Sequence, residues 1–537
     1  MRLIKKTWAF WVILPLLVSC QGSNWVDVKD PVWWKDAVFY QIFVRSFYDS
    51  NGDGIGDFNG LTSKLDYLND GDPKTTTDLG VQGIWLMPIQ PSPSYHGYDV
   101  SDYYAVNPDY GTMDDFRRLV SEAQKRGIRV LMDLVINHTA TNNQWFMMSA
   151  GGYARFKNWY IWSKTDPGYL GPWGEEVWHP QGGEYYYGVF GSNMPDLNYT
   201  NADVTSEMKN VARFWLDDVG VDGFRVDGAK HLIEDAQIQE NTAATHAWFK
   251  DFHTYYKSLK PDAITVGEVW SATDQTVPYV KDGELDLVFN FPLANDILSG
   301  VTFFDARTIS TSLMLQERAY GDASFASFLT NHDMARVMTK VNGDAEKAKA
   351  AAAVLLTSPG VPFIYYGEEI GMTGDKPDPL IRTPMQWSGG SQAGFTSGTA
   401  WETINLDYTT RNVEAQNADK TSLLSAYRDL IHLRNEHYAL RTGTYVQVKS
   451  GNNKLFAMLR VAEKESVLVL VNLGKEAIAQ PALDWSESGM NGKYRSRVLM
   501  GSGKVNALTV GEQGEVSGYT PLAEVPANGV VVIQYTH

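Results

Sequence analysis

The chain has 537 residues, with 46 Lys and Arg against 63 Asp and Glu, and a formal net charge of −17 at pH 7. This acidity argues against nucleic acid or an anionic polymer as a partner, whereas a neutral ligand is compatible with it. A chain of this length exceeds one ordinary hydrophobic core, so we expect a large domain with an inserted piece and a separate end domain.

The first twenty residues have the pattern of an export signal. A basic start precedes the apolar run 8–18, which is too short to span a bilayer. The run leads into the sequence LVSC, which resembles the lipobox of bacterial lipoproteins, and Cys20 is the only cysteine of the chain. We therefore expect an exported monomer without disulfides, anchored through a lipid on Cys20 to the cell envelope, at the outer membrane or cell surface.

An acidic loop, DSNGDGIGD, follows the first apolar run after the leader. Its oxygen donors fall at alternate positions, as in an EF-hand loop, and such donors suit Ca²⁺ better than a softer metal. The candidate ligands are the side chains or carbonyls of Asp49, Asn51, Asp53, Ile55 and Asp57. Gly60 stands where a complete loop has an acidic residue, so this is a truncated loop. The alternative is a solvated acidic turn.

Eight apolar runs, most of them separated by helix-like segments, predict the parallel strands of an α/β barrel. They lie at 38–47, 83–89, 129–137, 223–227, 263–268, 285–291, 325–330 and 361–366. Between 138 and 198 the alternation stops, and the sequence becomes rich in Gly, Trp and Tyr. After about residue 440, short strand-like runs without long helices predict an all-β end domain of the sandwich type.

Two of these runs end on carboxylates, Asp227 and Glu268, and a third is followed within three residues by His332 and Asp333. In barrels of alternating strands and helices the chemistry lies where the strands end, so we expect the three carboxylates to converge on one mouth. Each of them alone could instead be a helix N-cap or part of a structural ion pair. Three such runs in one chain favour a shared site.

Five ordered segments connect the chain to a known family. They are DLVINH at 133–138, MPDLN at 194–198, GFRVDGAKH at 223–231, GEVW at 267–270 and FLTNHD at 328–333. In these segments and in their order the chain resembles the α-amylase family of glycoside hydrolases, and the resemblance covers nearly everything after the first thirty residues.

The resemblance implies a (β/α)8 TIM barrel with an inserted domain after strand 3 and a C-terminal antiparallel β-sandwich domain. The inserted domain would form one wall of the cleft. The expected divisions are a signal peptide at 1–20, a linker at 21–32, the barrel at 33–137 and 199–438, the inserted domain at 138–198 and the end domain at 439–537.

The resemblance also assigns roles to the carboxylates. Asp227 would be the nucleophile and Glu268 the general acid and base, with retention of anomeric configuration through a covalent glycosyl-enzyme. Asp333 would hold sugar hydroxyls and stabilise the transition state. Arg225 lies two residues before Asp227 on the same strand face, where it would keep Asp227 ionised. The apolar neighbours of Glu268 favour a raised pKa, as a general acid needs.

Further residues are expected to bind the substrate. His138 and His332 resemble the family's histidines that bond the sugar at the cleavage point, although a lone histidine is more often a core residue. In the run YHGYD, His96 and Tyr98 follow the second strand, and Tyr98 would stack on that sugar. Lys230 and His231 resemble the pair that holds glucose units beyond the scissile bond in α-amylases.

Tyr95 bears on the mode of cleavage. Family members that act on the ends of short oligosaccharides have an acidic residue at this position, which closes the pocket. Tyrosine there favours an open cleft. The segment MPDLN and the acidic loop are, however, also common in the oligosaccharide-cleaving branch.

The resemblance implies a second calcium site, which joins the barrel to the inserted domain. Its ligands would be Asn137, Asp196 and the backbone of His231.

These observations predict endo-acting, retaining hydrolysis of α-1,4-glucosidic bonds in starch-like glucans and maltooligosaccharides. One alternative is an exo-acting α-glucosidase or a glucosyl-transferring enzyme on the same scaffold. A second alternative is a non-catalytic glycan-binding surface lipoprotein, since a fold does not fix a function.

Overall fold

The computed structural model describes residues 32–537. The predicted signal peptide, the lipid anchor on Cys20 and all of the linker except its last residue lie outside the described residues. Within residues 32–537, no helix combines the length and the apolar character needed to cross a membrane.

Eight parallel strands form the centre of the molecule, and we number them as barrel strands 1 to 8 along the chain. Their bounds are Phe39–Ile42, Gly83–Leu86, Arg129–Leu134, Gly223–Val226, Ile264–Gly267, Leu287–Val288, Ala326–Phe328 and Val361–Tyr365. The sheet runs in the order 7-8-1-2-3-4-5-6, and a parallel bridge between Phe289 and Ala326 joins its two edges. The sheet therefore closes into a barrel, as the sequence predicts.

The interior of the barrel is packed with large apolar side chains. Phe39, Trp85, Leu131, Phe289 and Phe363 belong to one buried cluster, and the rings of Phe39 and Phe363 stack with centroids 4.5 Å apart. Side chains alternate between the two faces of a strand, so the neighbouring residues point outward to the helices. The barrel is thus a filled core whose open end carries the polar residues.

Helices follow the strands along the chain, and most of them cover the outside of the barrel. Their bounds are Val44–Phe47, Phe58–Ser63, Leu65–Leu68, Met113–Lys125, Gln144–Ala150, Ala202–Arg213, Ala243–Leu259, Thr273–Lys281, Phe291–Phe303, Ala306–Tyr320, Val337–Lys340, Ala345–Thr357, Val413–Asn417, Leu423–Glu436 and Tyr438–Thr442. In Met113–Lys125, Thr112 and Asp115 form a capping box. The buried residues of that helix recur at helical spacing, which fixes the face that meets the barrel.

Several barrel strands are shorter than the apolar runs that predicted them. The run 38–47 gives the strand Phe39–Ile42 and then a one-turn helix, Val44–Phe47, and the run 285–291 gives only Leu287–Val288 as a strand. All of these residues except Asp286 are buried, and burial alone does not distinguish a buried strand from a buried helical turn.

The segment after barrel strand 3 forms its own small sheet. Trp162–Ser163, Glu184–Tyr187 and Trp178–Gln181 pair antiparallel in that order, and the helix Gln144–Ala150 precedes them. Isolated antiparallel bridges at His138–Asp196 and Tyr160–Leu197 bring the end of this segment back to its start. The segment therefore lies beside the carboxyl ends of barrel strands 3 and 4.

The C-terminal part is an antiparallel β-domain. Its main sheet has six strands, in the order Thr444–Gln447, Leu455–Val461, Ser466–Asn472, Val530–Thr536, Gly492–Met500 and Leu508–Val510. Two smaller pairs accompany it, Ile478–Ala479 with Glu524–Val525 and Leu483–Trp485 with Val516–Tyr519.

The two faces of the main sheet pack into different cores. Leu455, Ala457 and Leu459 belong to the core of the β-domain, whereas the alternate residues Phe456 and Met458 belong to the large core shared with the barrel helices. The two-residue periodicity of a strand produces this division. The end domain is therefore packed against the barrel along one face of its central strands.

Candidate active site

The three predicted carboxylates lie at the open end of the barrel. Asp227 directly follows barrel strand 4, Glu268 directly follows barrel strand 5, and Asp333 lies in the loop after barrel strand 7. Asp227 is 8% exposed, so it is shielded yet reachable from the cleft. The convergence expected from the sequence is present.

Arg225 connects the carboxylates. Its Nη1 lies 2.6 Å from Asp227 Oδ1 and 2.8 Å from Asp133 Oδ1, and its Nη2 lies 2.7 Å from Glu268 Oε2. Burial lowers the pKa of Arg225, but the surrounding acidic groups, Asp133 foremost, outweigh burial and hold this pKa well above its ordinary value. The arginine is thus a fixed positive charge between the two carboxylates proposed for catalysis.

Glu268 is set apart from an ordinary carboxylate by its surroundings. Burial raises the pKa of Glu268 to about 7, with Asp227 and Asp333 adding to the rise and Arg225 opposing it. A carboxyl group with a pKa near neutrality can hold a proton and then deliver it at the working pH. This is the property expected of a general acid.

Asp133 is a member of the site that the sequence analysis did not single out. Besides the contact with Arg225, Asp133 Oδ2 accepts hydrogen bonds from the Tyr98 hydroxyl at 3.1 Å and from Trp85 Nε1 at 3.2 Å. Burial raises the pKa of Asp133 to about 7, although Arg225 acts against the rise. The available signals were its place as the first residue of DLVINH and its position as the only acidic residue of the strand RVLMDL.

The histidines of the site are hydrogen-bonding groups and not charges. The pKa of His332 lies well below its ordinary value, and those of His138 and His96 are also lowered, in each case chiefly by burial. His332 Nε2 lies 2.6 Å from the Tyr98 hydroxyl, and the two rings stack with centroids 5.4 Å apart. His138 Nε2 lies 3.1 Å from the carbonyl oxygen of Tyr98. Tyr98 therefore joins both predicted sugar-binding histidines.

Arg382 holds Asp333 and was not anticipated from the sequence. Its Nη2 lies 2.9 Å from Asp333 Oδ1, and its Nε donates to the carbonyl of His332 at 3.0 Å. The same guanidinium contacts Asp378 at 3.2 Å and the Tyr95 hydroxyl at 3.5 Å. Arg382 comes from the loop after barrel strand 8, and no motif at that point of the sequence signalled a site residue.

Lys230 and His231 lie on the other side of Glu268. Lys230 Nζ contacts Glu240 Oε2 at 2.6 Å and donates to the carbonyl of Trp270 at 3.0 Å. Burial lowers the pKa of His231 to about 4, so this ring is neutral, and its Nδ1 lies 3.0 Å from the carbonyl of Gln239. Both side chains line a cavity of about 320 Å³ together with Glu268.

The acidic loop is internally hydrogen-bonded. Asp49 accepts from the backbone N–H groups of Asn51, Gly52 and Gly54 at 2.7 to 2.9 Å, and Asp57 caps the helix Phe58–Ser63. Burial raises the pKa of Asp49, but the hydrogen bond from Thr396 and these backbone hydrogen bonds outweigh burial. The pKa of Asp49 therefore lies below its ordinary value.

The remaining predicted ligands of the loop bond within it as well. Asp53 N donates to Asn51 at 2.8 Å, and Ile55 N donates to Asp53 at 2.8 Å. The loop thus carries oxygen atoms of the kind that bind Ca²⁺, and the hydrogen bonds described here account for its conformation.

The second predicted calcium site has a different character. Asn137 Oδ1, Asn137 Nδ2 and Asp196 Oδ2 are buried and have no hydrogen-bond partner of good geometry among residues 32–537. Burial and Glu234 raise the pKa of Asp196, and the nearby Asn137 side chain opposes that rise. The two residues lie together, because Leu197 N donates to the carbonyl of Asn137 at 2.8 Å. Buried oxygens without partners cost free energy unless a donor or a cation satisfies them, so these residues fit an oxygen-binding cation. In the described part of the chain, no group of three or more His, Cys, Asp or Glu side chains is arranged to hold a metal.

Comparison with known proteins decides the family. The family described as "Alpha amylase, catalytic domain" matches residues 41–443. The chain belongs to the α-amylase family. This family member is 38% identical over 478 residues to Alpha-amylase 3 of Dictyoglomus thermophilum. The match covers 88% of this chain and 90% of that protein.

Two further relatives show the range of the family around this chain. The crystal structure of the α-amylase from H. orenii is similar, with a TM-score of 0.83 and 38% identity, covering 94% of this chain and 100% of that one. The probable oligo-1,6-glucosidase 2 of Bacillus subtilis is 33% identical over 544 residues, covering 87% of this chain and 94% of that protein. This α-amylase family member is therefore a glycoside hydrolase, and the non-catalytic alternative is set aside.

Proposed function

We propose that the protein is an endo-acting, retaining α-amylase that cleaves α-1,4-glucosidic bonds in starch-like glucans and maltooligosaccharides. The observation that carries the proposal is the cavity of about 320 Å³ beside Glu268, lined by Lys230 and His231. Any enzyme that cleaves an α-glucan holds sugar units on the leaving-group side, and this cavity offers room for them. Cutting within a chain also requires the opposite side to be open, which Tyr95 in place of a pocket-closing carboxylate supports.

In this proposal Asp227 is the nucleophile. Its carboxylate attacks the anomeric carbon while Glu268 donates a proton to the leaving oxygen, and water then releases the glycosyl group with Glu268 acting as the base. Because one guanidinium contacts both carboxylates, their arrangement is compatible with the separation of roughly 5 Å found in retaining glycosidases. Arg225 offsets the negative charge of both groups before and after proton transfer.

The sugar at the cleavage point would be held from several sides. Asp333, oriented by Arg382, accepts hydrogen bonds from its hydroxyl groups, and the neutral His138 and His332 provide further hydrogen bonds. The ring of Tyr98 offers a face on which the sugar stacks. Contacts that strengthen as the sugar flattens would lower the barrier and not merely improve binding.

Cleavage within chains is supported by the residue at position 95. Tyr95 lies beside Arg382 and stacks on Trp401 with ring centroids 5.4 Å apart. This position therefore carries a phenol where family members with a closed pocket carry a carboxylate. The relative named as an oligo-1,6-glucosidase favours the second candidate, an exo-acting α-glucosidase or glucosyl-transferring enzyme.

A product profile separates these two candidates. An endo enzyme lowers the viscosity of starch well before reducing sugar accumulates, cleaves maltooligosaccharides blocked at the non-reducing end, and uses maltose poorly. Lys230→Ala should impair long substrates more than short ones, because long chains take more of their binding energy from contacts beyond the scissile bond. Release of glucose alone, with blocked substrates untouched, would favour the exo-acting candidate.

We also propose calcium as a structural ion. Asn137 and Asp196, with their unpartnered buried oxygens, would hold it between the barrel and the inserted segment, joined by the backbone of His231 as the family resemblance implies. The acidic loop from Asp49 to Asp57 is the second candidate. At either place a cation would neutralise carboxylates and cross-link chain segments, which stabilises the fold.

Export and lipid anchoring complete the proposal. The support is the sequence of residues 1–20, with its basic start, short apolar run and single cysteine at position 20. An enzyme held at the cell envelope would meet a polymeric substrate outside the cell. The anchor would be the N-terminal Cys20 of the processed chain.

A further inference from the structure

Gln41 is a buried amide beneath the mouth of the barrel, and the proposed mechanism gives it no role. It lies on barrel strand 1, two residues after Phe39 and on the same face, so its side chain points to the barrel interior. Gln41 is 2% exposed, and its Nε2 lies 2.8 Å from Nδ1 of His332. A buried amide needs hydrogen-bond partners, and Gln41 finds one in a side chain of the site.

The imidazole ring of His332 is held in one orientation. The ring of Tyr98 stacks on it at an angle of 10°, with centroids 5.4 Å apart, and the ring of Trp85 meets it at an angle of 79° and 5.8 Å. The ring cannot turn over and exchange its two nitrogens without leaving both neighbours. Nδ1 therefore stays directed at Gln41, and Nε2 stays directed at the Tyr98 hydroxyl and Asp333.

The two nitrogens of His332 face partners of opposite kinds. The amide nitrogen of Gln41 can only donate, whereas the carboxylate oxygen Asp333 Oδ2, 3.1 Å from Nε2, accepts. Burial, with Arg382 and Arg225, holds the pKa of His332 well below its ordinary value, so the ring carries one proton. Both contacts place that proton on Nε2. If the amide were turned over, its oxygen could accept from Nδ1, but the lone pair left on Nε2 would face a carboxylate.

The proton on Nε2 sets the direction of the hydrogen bonds beyond it. With Nε2 as the donor, the Tyr98 hydroxyl accepts at 2.6 Å, and its own proton is directed to Asp133 Oδ2 at 3.1 Å. Asp133 also contacts Arg225 at 2.8 Å. A directed series of hydrogen bonds therefore runs from Gln41 through His332 and Tyr98 to the carboxylate that holds Arg225.

We propose that Gln41 is a positioning residue that keeps His332 in the tautomer with its proton on Nε2, so that the histidine presents an N–H donor to the sugar. The inference rests on the proposed hydrolysis of α-glucans, in which His332 bonds the sugar at the cleavage point. A hydroxyl oxygen of that sugar then accepts from a proton that is already in place, and binding requires no change of tautomer. Gln41 acts only through the histidine, because its own side chain is buried.

The tautomer can be measured directly. Long-range ¹H–¹⁵N correlation spectra of enzyme labelled with ¹⁵N-histidine separate a ring nitrogen that bears a proton from one with a free lone pair. The chain has ten histidines, and the signals that vanish in His332→Ala belong to His332. The unaltered enzyme should show the proton on Nε2 and a lone pair on Nδ1. In Gln41→Glu a carboxylate accepts at Nδ1, so Nδ1 should gain a proton. A proton on Nδ1 in the unaltered enzyme would overturn the proposal.

A double-mutant cycle shows whether Gln41 acts through His332. Gln41→Met removes the donor at similar volume and should lower kcat/KM for a blocked maltooligosaccharide by roughly three- to tenfold, as for one lost hydrogen bond. When His332 is already replaced by alanine, the same change should lower kcat/KM by less than about twofold, because the group that Gln41 positions is gone. Equal losses in the two backgrounds would show a merely structural glutamine and would refute the positioning role.

Gln82→Met is the matched control. Gln82 is another buried glutamine of the barrel, 4% exposed, whose side chain accepts from Val38 N and donates to the carbonyl of Gly80, each at 2.8 Å. Its replacement should lower the melting temperature, leave the His332 spectrum unchanged, and alter kcat/KM by the same factor with and without His332. If the unaltered enzyme cleaves no α-glucan, the proposed function fails, whereas the spectra still decide the tautomer.

Discussion

The pKa of Glu268 should govern how the enzyme loses activity at alkaline pH. Burial, Asp227 and Asp333 raise this pKa to about 7 against the opposing effect of Arg225. As the proposed general acid, Glu268 must be protonated in the free enzyme, so kcat/KM should fall as pH rises through about 7. Two pH units above the pKa, the protonated fraction and the rate are lower by roughly 100-fold, or about 2.7 kcal/mol of barrier.

Asp333→Asn tests the origin of this pKa. The change removes one of the negative charges that raise the pKa of Glu268, so the alkaline fall should move to lower pH. The maximal rate should also decrease, because Asp333 is the proposed partner of the sugar hydroxyls. The assay is kcat/KM against pH with a maltooligosaccharide blocked at the non-reducing end, whose natural leaving group needs the acid.

Asp378→Asn is the matched control. Asp378 contacts the same Arg382 as Asp333 but is not among the groups that shift the pKa of Glu268, so the alkaline fall should keep its position. A rate that stays flat to two units above pH 7 would refute Glu268 as the acid. An alkaline fall at the same pH in Asp333→Asn and in the unaltered enzyme would refute the electrostatic explanation.

Three other predictions follow from the site and the N-terminus. Asp227→Asn and Glu268→Gln should each lower starch hydrolysis by several orders of magnitude with nearly unchanged melting curves, and retention of more than about a tenth of kcat by either would contradict its role. Removal of calcium should lower the melting temperature, since saturation at roughly 100 times Kd adds about 2.7 kcal/mol to the free energy of unfolding. Asp196→Asn and Asp53→Ala, measured separately, show which site responds. An unchanged melting curve after prolonged chelation would count against both sites. Cys20→Ser should abolish labelling by radioactive fatty acid, and a labelled variant would exclude the anchor.

The fold and the carboxylates could be predicted because each leaves a local pattern in the sequence. A buried parallel strand is a continuous apolar run, and a functional carboxylate at its end interrupts that run visibly, as at Asp227 and Glu268. The same rule gave the barrel and the convergence of its strand ends. It failed at strand lengths, because Val44 and Phe47 continue the apolar run although the backbone there has already turned into a helix.

Other members of the site leave no such pattern. Asp133 opens the segment DLVINH, but nothing in that segment shows that it contacts Arg225, and Arg382 reaches Asp333 from a loop 49 residues further along the chain. Trp173, which lines the cavity beside Glu268, lies in an aromatic-rich stretch in which most rings pack against each other, so its 60% exposure appears only in three dimensions. Contacts between distant segments depend on the closed barrel, and a single sequence does not encode them as a motif.

The main sheet of the end domain belongs to two cores at once, and this limits how the protein can be shortened. Truncation near residue 438 would strip the cover from helices Ala306–Tyr320 and Ala345–Thr357, which face Phe456, Met458 and their neighbours. The freed end domain would in turn display an apolar sheet face to solvent. A barrel shortened in this way should aggregate. The change in sequence pattern near residue 438 therefore does not mark a boundary between parts that fold independently.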